Sequence, residues 1–314
     1  MRALAEGGLC RPSKAAVSMA VIDRVLAPNS AFSNRFFFLA RRFIPGETIA
    51  SAIEAVRRLN ADGLSATLDF LGEDVTDVRE AEKTRDTYRE MLGAIDAARL
   101  DTNVSVKLTA LGLLVDEDLC TANISDIVTR AEPLRDPFVR IDMEGSAVTE
   151  ATLRVFERVY ANHANVGPVI QAYLKRSPAD VERAIALDAR VRLCKGAYSE
   201  PETVALQDMP AIRREYLRLA EALLARGHYP GIATHDARLI EAVKGYADAN
   251  GIERDRFEFQ MLYGVRPHAQ RELRSDGYRV RVYVPFGTHW AGYFYRRITE
   301  RKENAFFALR SLFG

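Results

Sequence analysis

Two adjacent arginines, Arg296 and Arg297, stand near the end of the chain in a run that otherwise has the spacing of a helix packing aromatic side chains. Positions three or four residues apart share one face of a helix, so Tyr293 and Glu300 are expected to form one patch with this pair. Exposed arginine pairs of this kind usually make surface ion pairs of small energetic value. A functional role for the pair therefore depends on other charged residues converging on it.

Polar and ionisable residues also lie toward the ends of a series of short apolar runs along the chain. In chain order these residues are Asp69, Lys107, Asp142, Glu144, Gln171, Tyr173, Arg192, Lys195, Tyr198, Thr234, His235, Glu258, Gln260 and Tyr283. A lone lysine or arginine can extend to the rim of a fold, and a lone carboxylate can be satisfied in an ion pair. An unpaired buried charge, however, is costly, so a packed core would not accept them all. Together with the arginine pair, they predict a pocket that binds an anion, or an anion plus a cofactor that acquires negative charge.

The apolar runs themselves have the length and composition of buried β-strands. They cover residues 64–70, 103–111, 138–144, 166–174, 190–198, 229–236, 257–264 and 278–287. Between them lie segments with helical spacing, such as 209–228 and 237–251, often opened by Ser, Thr or Asp and closed by Gly or Asn. Eight strands that are apolar on both faces and alternate with helices indicate a parallel sheet closed into a (βα)₈ TIM-type barrel. Catalytic groups of this architecture lie at the carboxyl ends of the strands.

The first run begins at residue 64, which leaves the start of the chain outside the predicted barrel. We expect an N-terminal helical arm over residues 1–60 and a catalytic barrel domain over residues 61–314. No Gly/Ser-rich or Pro-rich linker separates the arm as an independent domain. The 314 residues are 48% apolar, which is enough for a sizeable core.

Composition argues against several classes of function. The 44 basic residues nearly cancel the 43 acidic ones, so no global field attracts nucleic acid or an anionic membrane. Cys10, Cys120 and Cys194 are widely spaced without CxxC, and no two histidines have metal-ligand spacing, so we expect reduced thiols and no metal site. The apolar stretch at 15–22 is too short to cross a bilayer. These features favour a cytoplasmic protein.

Two kinds of chemistry fit the cationic pocket. Lys107 or Lys195 could form a Schiff base with a carbonyl substrate, as in barrel aldolases, while the arginines hold a carboxylate or phosphate. Alternatively, some of the cations could stabilise a reduced, anionic flavin while others hold a substrate carboxylate. No GxGxxG follows a predicted strand, so a Rossmann-type dinucleotide site is not supported. A barrel that binds a ligand without turnover is a third alternative, and the residue pattern alone leaves the choice open.

Eight short blocks, in order along the chain, resemble the proline dehydrogenase family. The blocks are TLDFLGEDV (67–75), SVKLTALGL (105–113), RIDMEGS (140–146), IQAYLKRS (170–177), RLCKGAY (192–198), ATHD (233–236), EFQMLYG (258–264), and YVPFG (283–287) followed by YFYRRITE (293–300). One departure is Cys194, where members of the family usually carry valine. A small apolar residue there should leave the strand intact.

The resemblance implies a (βα)₈ enzyme that oxidises L-proline to Δ1-pyrroline-5-carboxylate by hydride transfer to FAD. The electrons would pass to a quinone, in the first step of proline catabolism to glutamate. Arg296 and Arg297 would belong to the last barrel helix, lying over the active-site mouth, and would hold the proline carboxylate together with Lys107. The walls around the pyrrolidine ring would be three tyrosines, Tyr198, Tyr283 and Tyr293.

The same resemblance assigns the contacts to the cofactor. Arg192 would lie near flavin N5, where a positive charge favours the anionic reduced form. The other FAD contacts would come from Met143, Gln171, Lys195, Gly196, Ala197, Thr234, His235 and Glu300. Asp142 would be a catalytic-site residue that orients Tyr283 or Arg296, or that assists the substrate amine in reaching the neutral state required for hydride loss.

The partners implied by the resemblance are L-proline and a membrane quinone as electron acceptor. No aldehyde dehydrogenase sequence follows in the chain, so we expect a separate Δ1-pyrroline-5-carboxylate dehydrogenase to act downstream. No nucleic acid or metal ion is implied. The expected location is the cytoplasm, with peripheral membrane contact at the inner face as a further possibility.

Overall fold

The structure, a computed structural model, describes the backbone of residues 40–299 and the side chains of residues 40–294. Residues 42–287 form one compact unit, and the described residues 40–41 and 288–299 belong to a second. The first unit contains every described strand and all the described helices except the last.

Eight parallel strands close into a barrel in which each strand pairs with its neighbours in chain order and the last pairs with the first. They are β1 (Ser65–Phe70), β2 (Thr102–Val106), β3 (Val139–Ile141), β4 (Val166–Gln171), β5 (Arg192–Cys194), β6 (Gly231–Ala233), β7 (Glu258–Leu262) and β8 (Arg279–Phe286). The closing pair is the longest, because all six residues of β1 align with β8. The predicted TIM-type barrel is confirmed.

Helices precede, connect and follow the strands. They are α1 (Ile49–Ala61), α2 (Val78–Ala98), α3 (Glu117–Ala131), α4 (Ser146–Tyr160), α5 (Ser177–Ala186), α6 (Met209–Arg226), α7 (Ala237–Ala249), α8 (Pro267–Ser275) and α9 (Trp290–Thr299). Four helices begin after an aspartate whose carboxylate accepts hydrogen bonds from first-turn N–H groups, namely Asp77, Asp116, Asp208 and Asp236. Each carboxylate satisfies donors that have no partner within the helix and lies at the positive end of the helix dipole.

Several strands are shorter than the apolar runs that predict them. β2 ends at Val106, and the rest of its run turns into a short 3₁₀ helix at Thr109–Leu111. β3 ends at Ile141, before the carboxylates of Asp142 and Glu144. The polar residues that follow these strands therefore lie in the segments where barrels of this kind carry their chemistry.

The first described helix is part of the barrel unit. α1 packs against β1 and β8 and buries Ala52 and Val56. Upstream of it, the carbonyl of Gly46 accepts a hydrogen bond from the backbone N–H of Gly287 at 3.3 Å. Most of the predicted arm over residues 1–60 lies outside the described residues, so its boundary with the barrel domain stays a prediction.

The last described helix, α9, belongs to the second unit. Within it, the rings of Trp290 and Phe294 meet edge to face with centroids 6.1 Å apart. The placement of this helix over the barrel mouth stays a prediction. Across the described part of the chain, no helix combines the length and the apolar character that a bilayer span requires.

Candidate active site

Asp142, the first residue after β3, is the centre of a hydrogen-bond network at the carboxyl ends of the strands. Its Oδ1 accepts hydrogen bonds from the Ser105 hydroxyl at 2.5 Å and from Arg192 Nη1 at 2.8 Å. Its Oδ2 accepts one from the Tyr283 hydroxyl at 2.8 Å. The Asp142 side chain is only 13% exposed. Three donors from three different strands therefore hold one carboxylate in a single orientation.

Arg192 is held across the barrel interior. It is the first residue of the three-residue strand β5, although the sequence pattern placed it among the strand ends. Besides Asp142, its Nη1 donates to Ser105 Oγ at 3.1 Å, and its Nε donates to Oε1 of Gln260. Its guanidinium carbon lies 5.3 Å from the centroid of the Tyr283 ring. A long side chain on a short strand thus brings a fixed positive charge to the mouth.

Lys107 follows β2 and forms a buried ion pair with Asp69 of β1. Its Nζ lies 2.8 Å from Asp69 Oδ2, and the two side chains are 9% and 0% exposed. Burial opposes the charge on Lys107, but the carboxylates of Asp69 and Asp142 outweigh it and raise the pKa of Lys107. Burial raises the pKa of the Asp69 carboxyl, with the charge of Lys107 acting in the opposite direction. Lys107 is therefore a persistent cation at the mouth.

Glu144 ties together the loops that follow three strands. Its two carboxyl oxygens accept from the backbone N–H and the hydroxyl of Thr109 at 3.1 and 2.5 Å. Burial raises the pKa of Glu144 to about 7, although both bonds from Thr109 lower it. The Glu144 carbonyl accepts from Gln171 Nε2 at 2.9 Å, and Gln171 Oε1 accepts from the N–H of Ala197 at 3.3 Å. The segments that follow β2, β3 and β5 are thereby joined, through Gln171 at the end of β4.

A second charged group lies where β5 and β6 end. Asp236 Oδ2 is 3.4 Å from Lys195 Nζ and 2.7 Å from Arg213 Nε. The other oxygen of Asp236 caps α7, and its backbone N–H donates to Thr234 Oγ1 at 3.1 Å. The predicted residues Lys195 and Thr234 are therefore held in place by one aspartate.

His235 and Gly196 are both constrained by their surroundings. His235 Nε2 accepts a hydrogen bond from the N–H of Leu262 at 2.8 Å, so this ring nitrogen carries no proton. Gly196 has a φ of +124°, and a Cβ placed there would lie 2.2 Å from the ring of Tyr173. The Tyr173 hydroxyl in turn donates to the carbonyl of Tyr198 at 3.2 Å. Only glycine fits between this ring and the segment after β5.

Glu258 lies at the opposite end of the barrel from the place the sequence pattern gave it. It is the first residue of β7, and its carboxylate accepts from Arg281 Nε at 2.7 Å. The prediction was wrong because this charged residue lies near the start of its apolar run and opens the strand, whereas Lys107 and Asp142 directly follow their strands. Gln260, two residues on, connects the two ends: its Nε2 donates to Glu258 Oε1 at 2.5 Å while its Oε1 accepts from Arg192.

The remaining predicted residues have different surroundings. Met143 is buried in a small apolar cluster with Leu153 and Val169. Tyr198 is half-buried in the segment after β5. Tyr293 lies in the second unit. The side chains of Arg296 and Arg297 and the whole of Glu300 lie outside the described residues.

Sequence reasoning missed Ser105, which donates to Asp142 and accepts from Arg192. Ser105 stands two residues before Lys107 and two after Asn103 in a strand whose five residues are all buried. Side chains at i and i+2 share one face of a strand. The alternation of polar side chains with valines in β2 is the signal that identifies it.

The chain is similar to proline dehydrogenases over most of its length. The sequence model of the family described as "Proline dehydrogenase" matches residues 52–310. Proline dehydrogenase 1 of Bacillus subtilis (strain 168) is 41% identical over 273 residues, which cover 87% of this chain and 90% of that protein. Proline dehydrogenase of Deinococcus radiodurans is 40% identical over 279 residues, with the same coverage of both proteins.

Solved structures give the same result. Proline utilization A (PutA) from Bdellovibrio bacteriovorus, in a crystal structure described as inactivated by N-propargylglycine, superposes with a TM-score of 0.78 at 27% identity. The match covers 85% of this chain and 33% of that one, so the chain spans about a third of the solved structure. With the family match, the sequence identity and the barrel in agreement, the chain belongs to the proline dehydrogenase family.

Proposed function

We propose that this protein oxidises L-proline to Δ1-pyrroline-5-carboxylate with FAD as the hydride acceptor. Membership of the family supports a proline dehydrogenase with a flavin. The observation that carries the finer proposal is the network in which Asp142 accepts from Arg192, Tyr283 and Ser105 beside the cation of Lys107. It offers fixed positive charge to an anionic substrate and to a cofactor that becomes negative.

On the substrate side, we assign Lys107 to the proline carboxylate. Its pKa is raised, so it stays charged throughout the neutral range, and its partner Asp69 holds Nζ in place. We propose that Arg296 and Arg297 complete the clamp, because guanidinium forks orient a carboxylate as well as binding it. The proposed walls of the ring pocket are three tyrosines, Tyr198, Tyr283 and Tyr293.

The donor set at the ends of β4, β5 and β6 fits a flavin dinucleotide. Arg192 and Lys195 supply positive charge, and Gln171 and Thr234 supply uncharged hydrogen-bonding groups along the same edge. The proposed contacts are Met143, Gln171, Arg192, Lys195, Gly196, Ala197, Thr234, His235 and Glu300. When bound, the cofactor supplies the acceptor for the hydride. The side-chain amide of Gln171 donates one hydrogen bond and accepts one within the fold, so a second N–H and a second lone pair remain for a ligand.

We assign Asp142 mainly to positioning. Its two oxygens already accept three hydrogen bonds, so it holds Arg192 and Tyr283 at the mouth and keeps their charge and hydroxyl in fixed places. Its negative charge also favours approach of the protonated substrate amine before that amine becomes neutral for hydride loss.

We also propose a quinone as the electron acceptor and a separate Δ1-pyrroline-5-carboxylate dehydrogenase as the downstream enzyme. These proposals rest on the family alone. A relative in Escherichia coli is named Bifunctional protein PutA, is 29% identical, and is matched over 24% of its length. A cytoplasmic location with peripheral contact at the inner face of the membrane is part of the same proposal.

The test is the absorbance of the purified protein with and without L-proline. The proposal expects a yellow protein whose flavin bleaches on anaerobic addition of L-proline, with D-proline as the control, and a product that reacts with o-aminobenzaldehyde. A bleached flavin without that product would contradict the assigned product. A colourless protein that borohydride traps covalently with a carbonyl compound would replace the proposal by Schiff-base chemistry at Lys107 or Lys195.

A further inference from the structure

A second cavity lies at the amino-terminal end of the barrel, opposite the candidate active site. It has a volume of about 560 Å³, and its walls carry five arginines but only two aspartates. A cavity of this size holds a small molecule. The whole chain has a formal charge of only +1, so the arginines form a local concentration of positive charge.

One of the five arginines is fully used within the fold. Arg281 lies 2.9 Å from Asp136 and 2.7 Å from Glu258, and its Nη1 donates to the carbonyl of Ala66 at 2.7 Å. These contacts satisfy the buried guanidinium and engage one of the two lining aspartates. The charge of Arg281 is therefore accounted for without a ligand.

Arg190 is not accounted for in this way. Its guanidinium carbon lies 4.2 Å from the centroid of Phe138 and 4.6 Å from that of Tyr229, so the charge is held between two rings. Its Nε is buried and has no hydrogen-bond partner within the described residues. Burial lowers the pKa of Arg190, and the charges of Asp136 and Glu258 oppose this. A half-buried guanidinium whose buried Nε has no such partner is a site for an anion.

The other lining arginines are weakly paired. The nearest carboxylate to Arg279 is Asp255, at 3.9 Å. Arg274 donates from Nε to the carbonyl of Gly63 at 2.8 Å, which is a neutral partner. Arg135 is exposed and has no carboxylate within ion-pair distance among the residues whose side chains are described. Three exposed cations thus surround the half-buried Arg190.

We propose that this cavity binds a small phosphate-class oxyanion carrying two or more negative charges, with Arg190, held between two rings, as the anchor and Arg135 and Arg279 at the rim. Guanidinium forks match the oxygens of phosphate groups in pairs. The site is separate from the proposed catalytic chemistry, because its lining residues precede or open their strands, whereas Lys107 and Asp142 follow theirs.

The experiment is isothermal titration of the full-length, FAD-loaded protein with sodium pyrophosphate at constant ionic strength. We expect one saturable site per chain with a Kd below about 1 mM. Arg190→Met should weaken binding by about tenfold or more, because its guanidinium is half-buried between two rings and its Nε is shielded from water. Arg135→Met and Arg279→Met, at exposed positions, should each weaken it by about threefold.

Two control variants define the place of binding. Arg89→Met removes an equal charge from a pair with Asp126 on the flank of the barrel. Lys107→Met removes the cation at the opposite end. Both should leave the Kd for pyrophosphate within about twofold of the wild-type value, since neither lines the cavity. Titration with ADP shows whether the natural ligand is a nucleotide or a free oxyanion. Tighter binding of ADP than of pyrophosphate indicates a nucleotide, whereas equal or weaker binding of ADP indicates a free oxyanion.

Several results would overturn the proposal. They are no saturable binding of pyrophosphate by the wild-type protein, loss of binding in Lys107→Met, or an unchanged Kd in a folded Arg190→Met variant. If Arg190→Met does not fold, an unchanged Kd in both Arg135→Met and Arg279→Met has the same consequence.

Discussion

The two ends of the barrel bury glutamates to the same extent but shift their pKa values in opposite directions. Glu258, at the amino-terminal end, is 3% exposed, and Glu144, beside the mouth, is 4% exposed. Burial would raise the pKa of Glu258, yet the guanidinium of Arg281 holds that pKa at about 2. Burial raises the pKa of Glu144 to about 7, because its partner Thr109 is uncharged. The partner, and not the degree of burial, decides the charge state.

The same contrast separates structural from functional charge. At the amino-terminal end, Glu258 and Asp136 saturate Arg281. At the mouth, Lys107 and Arg192 carry charges that the network orients but that remain suited to a substrate and a cofactor. Perturbed carboxyls such as Glu144 and Asp69 are also found at the mouth, as is usual for functional sites.

The largest expected effect is a loss of stability when the buried ion pair of Arg281 and Glu258 is broken. Arg281→Met leaves the buried carboxylate of Glu258 without its cation, and we expect a loss of about 3 to 5 kcal/mol in the free energy of unfolding. Urea denaturation followed by circular dichroism measures it. Adding Glu258→Gln to the variant should restore part of the loss, because a neutral amide is cheaper to bury.

The matched control for that variant is Arg218→Met. Arg218 is 56% exposed and pairs with Glu215 on the surface of α6. Its loss should change the unfolding free energy by no more than about 0.5 kcal/mol. Equal effects of the two substitutions would show that the buried layer does not stabilise the barrel.

The next largest effect is on turnover, from a change at Asp142, the centre of the hydrogen-bond network at the barrel mouth. Asp142→Asn removes the charge facing Arg192 and leaves one oxygen for three donors. We expect kcat/KM for L-proline to fall by about 100- to 1000-fold, or about 3 to 4 kcal/mol. Asp126→Asn, on the barrel flank opposite Arg89, is the control and should keep kcat/KM within about twofold. A decrease of less than about fivefold in Asp142→Asn would remove the network from the mechanism.

The third prediction concerns pH. The pKa of Glu144 is raised from 4.5 to about 7 in the folded protein. Its contribution to stability is therefore fully present below about pH 4.5 and is lost as the pH rises to about 7, with a total of about 3 kcal/mol. Glu144→Gln cannot ionise, so the unfolding free energy of this variant relative to wild type should improve by most of that amount between pH 5 and pH 8.

The control for the pH measurement is Glu221→Gln, at an exposed position on α6. The difference in unfolding free energy between this variant and wild type should stay constant from pH 5 to pH 8. A pH-independent difference between wild type and Glu144→Gln would show that Glu144 ionises as freely in the folded chain as in the unfolded one.

The smallest effect tests the residue that sequence reasoning missed. Ser105→Ala removes one hydrogen bond to Asp142 and one from Arg192 while both charges remain paired. We expect kcat/KM to fall by about fivefold, or about 1 kcal/mol. Ser65→Ala is the control: it removes a hydrogen bond to Asp101 at the amino-terminal end of β1 and should leave kcat/KM unchanged. Equal values for both variants would place Ser105 outside the network.

The barrel could be predicted from the sequence because both faces of every strand are buried, which leaves continuous apolar runs. The residues at which the strands end could not be predicted in this way. The run after Val106 continues with Leu108 and Leu111, which are buried in the 3₁₀ turn and not in the sheet. Apolar character reports burial, whereas a strand ends where its backbone pairing ends.

The candidate site was predictable where a polar residue directly follows its strand, as Lys107 and Asp142 do. Prediction failed for Glu258, because the pattern does not show at which residue of a run the strand begins. It also missed Ser105, whose small hydroxyl gives a weak signal among valines. The geometry that joins Ser105, Arg192 and Gln260 comes from three strands far apart in the chain. Closure of the barrel, and not spacing along the sequence, brings these side chains into contact.

The central claim, that the charge at the mouth acts on the chemistry, is tested most directly by Arg192→Met. The two-electron potential of the bound flavin and its bleaching by L-proline in stopped flow are the measurements. We expect the flavin to stay bound, its potential to fall by about 30 mV or more, and bleaching to slow by about tenfold or more. Arg89→Met should match wild type in both. An unchanged potential and an unchanged bleaching rate in Arg192→Met would contradict the claim and assign Arg192 to the structural charges.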